Sequence, residues 1–143
     1  MAAAELVKRG YIVARPLTNG AAYDLLVDTG SRVVKVQVKR ASRLANGSFR
    51  IKLTSSKYHR GRQAISYAGR VDCVLGVECS AGLFFIVHGE DLDRSEIAIR
   101  DAQAKNNQAR RVRKIAEHDM SAMFPIIGEM VGRSGFEPLT PCV

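Results

Sequence analysis

Between Arg32 and Lys39 apolar and polar residues alternate, with Val34, Val36 and Val38 on one side of an extended chain and Lys35, Gln37 and Lys39 on the other. The alternation predicts a strand with one buried face. Tyr23 to Val27 predicts a strand just before it, and Asp28-Thr29-Gly30-Ser31 between the two is turn chemistry, so the pair reads as an antiparallel hairpin. Upstream, Ala2 to Arg9 carries good helix formers and stops at Gly10. Tyr11 to Arg15 reads as a strand ended by Pro16, and the loop Leu17 to Ala22 contains the turn pair Asn19-Gly20.

Downstream, Ser48 to Leu53 follows Asn46-Gly47 and predicts another strand. A basic loop comes next, from Lys57 to Arg62. Val71 to Val77 and Leu83 to Val87 are apolar runs joined by Ser80-Ala81-Gly82, a second hairpin. Asp93 to Glu117 reads mostly as helical, with a turn at Lys105-Asn106-Asn107-Gln108 and a new helix from about Gln108 to His118. From Met120 onward the chain changes character, and no period survives over its last part. The pattern divides the chain into one domain over residues 1–118, its N-terminal start left open, and a loosely structured tail over 119–143.

The length of 143 residues fits one domain. The charge changes the picture more. Lys and Arg number 22 against 14 Asp and Glu, a net +8, with a pI near 9.8. Such a field attracts polyanions, nucleic acid first and an anionic membrane surface second. No apolar stretch approaches the length of a membrane span, and the start lacks the long apolar region of a signal peptide, so a cytoplasmic location is expected. The three cysteines, Cys73, Cys79 and Cys142, contain no CxxC pair and point to neither a disulfide framework nor a zinc site. Cys73 and Cys79 flank an apolar run and are expected to be buried thiols.

The chemistry sits on the first hairpin. With a four-residue loop, Asp24 falls opposite Gln37, thirteen residues on. Gln37 and Lys39, two apart, share a face. Asp24, Gln37 and Lys39 therefore converge on one patch while the valines anchor the other side. A carboxylate and an amide oxygen are hard ligands suited to Mg²⁺, and an ammonium beside them can orient or help deprotonate a water. A solvated hairpin face with an exposed Asp24–Lys39 ion pair accounts for the same spacing, which is loose as a pattern.

The order of Glu5-Leu6-Val7-Lys8-Arg9-Gly10-Tyr11, Arg15-Pro16-Leu17, Tyr23-Asp24-Leu25 and Val36-Gln37-Val38-Lys39 resembles the PD-(D/E)XK nuclease superfamily. The closest likeness is to group I intron-encoded homing endonucleases, with Holliday-junction resolvases more distant. Val71-Asp72-Cys73-Val74 with Phe84-Phe85-Ile86-Val87 resembles that group's later hairpin, and Ile97-Ala98-Ile99-Arg100 with Lys105 to Gln108 its closing segment. The resemblance implies an α/β, restriction-endonuclease-like fold, a mixed β-sheet flanked by helices in a single domain. It implies a Mg²⁺-dependent site that cuts double-stranded DNA, with Asp24 as metal-binding aspartate, Gln37 as second metal ligand and Lys39 as catalytic lysine. It also implies a homo-oligomer, dimer or tetramer, since homing endonucleases cut both strands.

The superfamily usually carries a glutamate on the first helix, and its aligned position here falls just before Met1. Glu5, the one acid on that helix, is displaced by about six residues, which on a 3.6-residue period turns it away from the site. It is a doubtful substitute. Three readings follow: a chain that begins late, a site that works without that acid, or a catalytically inactive DNA-binding module.

Phosphate contacts are expected from Arg40, Arg43, Lys52, Lys57, His59, Arg60 and Arg62. The ending Gly132 to Pro141 resembles reading frames that run into a transfer-RNA gene, which would suit an intron lodged in one. A junction resolvase is the competing activity within the same fold.

Overall fold

The computed structural model describes residues 1–55, 64–100, 113–114, 119–125 and 127. The chain opens with α1 (Ala2–Lys8) and continues through β1 (Ile12–Ala14), β2 (Leu25–Asp28), β3 (Val33–Arg43), β4 (Phe49–Lys52), β5 (Cys73–Glu78), β6 (Leu83–His88), β7 (Glu96–Arg100) and β8 (Arg113–Lys114). The eight strands form one mixed sheet, β1-β2-β3-β4-β7-β8, with β5 and β6 branching from β3. β3 pairs with β5 in parallel and β7 with β8 in parallel, and the other pairs are antiparallel. No helix among the described residues is long and apolar enough to cross a membrane.

α1 ends where the sequence predicts. Gly10 takes φ +98°, its N–H donates to the Val7 carbonyl at 2.9 Å, and the Tyr11 N–H donates to the Leu6 carbonyl at 3.1 Å. This left-handed cap satisfies two end carbonyls of the helix and brings Tyr11 against Leu6 in the core.

β3 is the spine. At eleven residues it outruns both neighbours on one edge. β2 pairs with it only as far as Val36, and β4 joins it only from Ala41. Between them the β3 backbone runs past β5 alone. The expected strand Arg32 to Lys39 is thus the first two-thirds of a longer one.

The alternation of β3 separates two cores. Val34 and Val36 pack with Leu25, Leu75 and Leu6 on the side covered by α1. On the other side Ala41 joins Phe49, Ile51, Phe85 and Ile99, where β4 and β7 fold across β5 and β6. The approach is close. A Cβ placed on Gly76 would stand 2.3 Å from Ile51 Cδ1, so a larger residue here would force the Ile51 side chain to move. Phe49 and Phe85 stack across the same gap with centroids 4.9 Å apart.

Two expectations fail. Within Asp93 to Glu117, the described residues 96–100 and 113–114 are strand where helix is expected: Glu96–Arg100 is β7, paired with β4, and Arg113–Lys114 is β8. Ile97 and Ile99 are buried and Glu96 is exposed, a period of two, and the open edge of β4 supplies backbone partners that outweigh the helix propensity of alanine, glutamate and arginine. The expected turn at Lys105 to Gln108 lies outside the described residues.

The chain also stays in the core past residue 118. Met120 and Phe124 are buried beside Leu6 and Tyr11. Arg9 donates to the Phe124 carbonyl at 2.9 Å and to Ser121 Oγ at 3.1 Å, and the Tyr11 hydroxyl donates to the Pro125 carbonyl at 2.8 Å. Residues 119–125 are therefore a strap tied to α1, not loose chain. Residues 128–143 lie outside the described ones.

Burial pushes the Cys73 thiol up to about 12, so it is an inert packing group. Cys79 is exposed, contrary to expectation, because it follows β5 at the start of the turn. Glu78, just before it, closes that turn: its carboxylate accepts the Ala81 N–H at 2.6 Å and the Ser80 N–H at 3.1 Å. These bonds, the Ala81 one first, hold its carboxyl below the usual carboxylate range. A carboxyl depressed in the folded state contributes stability above its unfolded pKa, and loses it as pH falls through the folded value. Urea denaturation should find Glu78→Gln less stable than wild type at pH 7, with the gap closing below about pH 4. A gap of constant size across that range would contradict this role.

Candidate active site

The site lies in the gap that β2 and β4 leave along β3. Its register is set by the turn. Gly30 adopts φ +81°, its N–H donates to Asp28 Oδ1 at 2.8 Å, and the Thr29 N–H donates to the Arg32 carbonyl at 3.0 Å. A four-residue loop results, with Asp28 paired to Val33 and Leu25 to Val36. One step further Asp24 stands opposite Gln37, and the Asp24 N–H donates to the Val36 carbonyl at 2.9 Å.

There the two side chains meet. Gln37 Nε2 donates a short hydrogen bond to Asp24 Oδ2 and a second, at 3.2 Å, to the Val38 carbonyl. Asp24 Oδ2 also accepts the Val38 N–H at 2.9 Å. That N–H belongs to the stretch of β3 where β2 has ended and β4 has not begun, so the carboxylate replaces a missing strand partner. Burial is graded across the site. Gln37 is buried at 9% exposure, Lys39 is half-buried and Asp24 is exposed. The cluster is thus anchored on its β3 side and open to solvent on its β2 side.

Lys39 projects from the same face as Gln37, but not onto the carboxylate. Its ammonium lies over the ring of Tyr67, 5.0 Å from the centroid. Among the described residues Lys39 and Asp24 form no ion pair. The surface ion pair that would have explained the spacing without chemistry is not formed.

The donor set for a divalent ion is small. Among the described residues no group of three or more histidine, cysteine, aspartate or glutamate side chains is placed to hold one. Asp24 and Gln37 remain. Asp24 Oδ1 and Gln37 Oε1 carry no hydrogen bond among the described residues. The amide, however, presents its NH₂ to Asp24, and a cation beside the carboxylate needs the carbonyl oxygen there instead. The residues fit a hard ion that keeps most of its waters, on condition that the Gln37 amide turns over.

Glu5 does not reach this cluster. It pairs with Arg9 at 2.9 Å, and Arg9 ties down the strap over residues 119–125. Arg40 and Lys52 lie on the outer face of the sheet, exposed. Arg43 turns to the inner face, its guanidinium 5.9 Å from the Phe49 ring centroid. Lys57, His59, Arg60 and Arg62 lie outside the described residues. Sequence reasoning missed three residues. Arg50 and Arg100 share the outer face with Arg40 and Lys52, a placement that the β4–β7 register reveals. Tyr67 belongs to a stretch without periodicity, and only the folded chain brings it to Lys39.

Asp24→Asn keeps an acceptor for the Val38 N–H, whereas Asp24→Ala removes it. Denaturation should place Asp24→Ala about 1 kcal/mol below wild type and Asp24→Asn closer to it. Equal stabilities for the two variants would show that the carboxylate does not replace a strand partner.

The model of a family described as PD-(D/E)XK endonuclease matches residues 1–121. Among solved structures, the bacterial homing endonuclease I-Ssp6803I is similar, at 20% identity and a TM-score of 0.66, over 92% of this chain and 89% of that one. The likeness shows a shared restriction-endonuclease-like α/β fold. No curated protein matches the chain.

Proposed function

Because the chain belongs to the PD-(D/E)XK endonuclease family, we propose that it is a Mg²⁺-dependent, site-specific endonuclease that hydrolyses phosphodiester bonds of double-stranded DNA. The observation that carries this reading is the meeting of Asp24 and Gln37 in the β3 gap, with Lys39 on the same face. The structural likeness to a protein described as a homing endonuclease supports a specific target rather than general degradation. Cutting both strands of such a target calls for at least two copies, so the working form is a homo-oligomer.

Asp24 and Gln37 would hold the ion, which when bound neutralises charge developing on the scissile phosphate. The chain's own residues do the rest. The Val38 N–H fixes one carboxylate oxygen of Asp24 and leaves the other free toward solvent. The buried Gln37 amide contributes an oxygen without charge, so affinity for the ion is weaker than in a site with two carboxylates. Lys39 brings a positive charge to the face on which the phosphate lies, and orients the attacking water or a phosphate oxygen.

Wild-type protein is expected to nick supercoiled plasmid carrying its target in Mg²⁺ and not in EDTA. Lys39→Ala should slow nicking by about 10²-fold or more while binding DNA as tightly as wild type. Binding without any nicking in Mg²⁺, at full occupancy of target DNA, would leave a DNA-binding module instead. Cleavage of four-way junctions irrespective of sequence would make it a resolvase.

DNA contact, in this reading, also takes in the outer face of β3, β4 and β7, opposite to the face of β3 that carries Gln37 and Lys39. Arg40, Arg50 and Lys52 are exposed there, Arg100 stands further along β7, and Glu96 is the acid among them. None of the four cations forms an ion pair among the described residues. Each phosphate contact releases condensed counterions, so the Arg50→Gln/Lys52→Gln double variant should lower the slope of log affinity against log salt by about 2. An unchanged slope would remove this face from the DNA interface.

A further inference from the structure

We propose that Tyr67 is a positioning residue for Lys39: its ring is a fixed platform that holds the lysine ammonium at the mouth of the β3 gap. The inference rests on the nuclease reading above.

Lysine is a poor residue to leave unguided in a site. Its four-carbon stem samples many rotamers, and ordering it costs side-chain entropy. Lys39 has no carboxylate to hold it among the described residues, since Asp24 is bonded to Gln37 and Val38. What it has is the Tyr67 ring, 5.0 Å from Nζ to centroid, within the range where the face of an aromatic ring attracts a cation.

The ring itself does not move freely. Tyr67 is 5% exposed and belongs to the core cluster that also contains Val71, Val74 and Phe85. The turn that carries it is tied on both sides. The Tyr67 carbonyl accepts the N–H groups of Arg70 and Val71 at 3.0 and 3.2 Å. Just before it, Ser66 bridges to Thr54, donates from Oγ to the Leu92 carbonyl at 3.1 Å and accepts the Ala68 N–H at 3.1 Å. A flexible charge is thus set on a rigid, buried surface. The ring lies on the face of β3 that carries Gln37, so the ammonium is kept on the side where Asp24 and Gln37 converge.

A ring that serves only as core filling would alter stability when replaced, but would not separate turnover from binding. Three measurements distinguish the cases. In wild-type protein the ε-methylene protons of Lys39, assigned by their loss in Lys39→Ala, should resonate upfield of the other lysines because they lie over the ring. Tyr67→Phe keeps the ring and should keep both that shift and a kcat within about twofold of wild type. Tyr67→Leu removes the ring and should lose the shift and lower kcat by about tenfold, with KM and DNA affinity in EDTA unchanged. Lys39 ε-protons at the free-lysine position in wild type, or a Tyr67→Leu protein with wild-type kcat, would overturn the assignment. If Tyr67→Leu fails to fold, the wild-type and Tyr67→Phe shifts decide alone. If wild type cuts no DNA, the nuclease reading has failed, and the same shifts still tell whether Tyr67 holds Lys39.

Discussion

The register between β2 and β3 is the constraint on which the site depends. Side chains alternate along a strand, so a slip of one residue in this hairpin would carry Asp24 to the α1 side of the sheet and break its meeting with Gln37. The register is held at both ends. The Gly30 turn fixes it at the tip, and the burial of Val34 and Val36 against Leu25 and Val27 fixes which face is core. The parallel pairing of β3 with β5 then holds the strand from its other edge. The meeting of Asp24 and Gln37 is thus a by-product of a hairpin that cannot slide, placed where β2 runs out and β4 has not yet begun.

Glutamine at position 37 has a physical logic of its own. Two carboxylates facing each other across this gap would repel whenever no cation lay between them. An amide instead donates to Asp24 and to the Val38 carbonyl, so the buried side chain is satisfied without an ion. The same bonds must be given up when the amide turns its oxygen outward. In the proposed nuclease the neutral side chain would therefore favour this hydrogen-bonded arrangement at the expense of ion affinity, the reverse of what a second acid would do.

The hairpin was legible in the sequence because everything that sets it is local: a period of two, a turn with glycine, and a spacing that puts Asp24 opposite Gln37. The helix stop at Gly10 was legible for the same reason. What escaped depends on distant partners. Ile97 and Ile99 lie in a stretch of helix formers, and only the open edge of β4 turns it into a strand. Met120 and Phe124 look like scattered apolar residues until Arg9 and Tyr11 draw the chain back over α1. Tyr67 and Lys39 are 28 residues apart with no shared period, so their contact exists only in the fold.

The central claim is that Asp24 and Gln37 together form one cation site. Anomalous scattering from crystals equilibrated with Mn²⁺, used in place of Mg²⁺, tests it most directly. The account predicts a single peak bounded by the Asp24 carboxylate and the Gln37 carbonyl oxygen, with the amide turned over. A peak elsewhere on the chain, or an active protein whose Gln37 NH₂ still rests on Asp24 at saturating Mn²⁺, would contradict it.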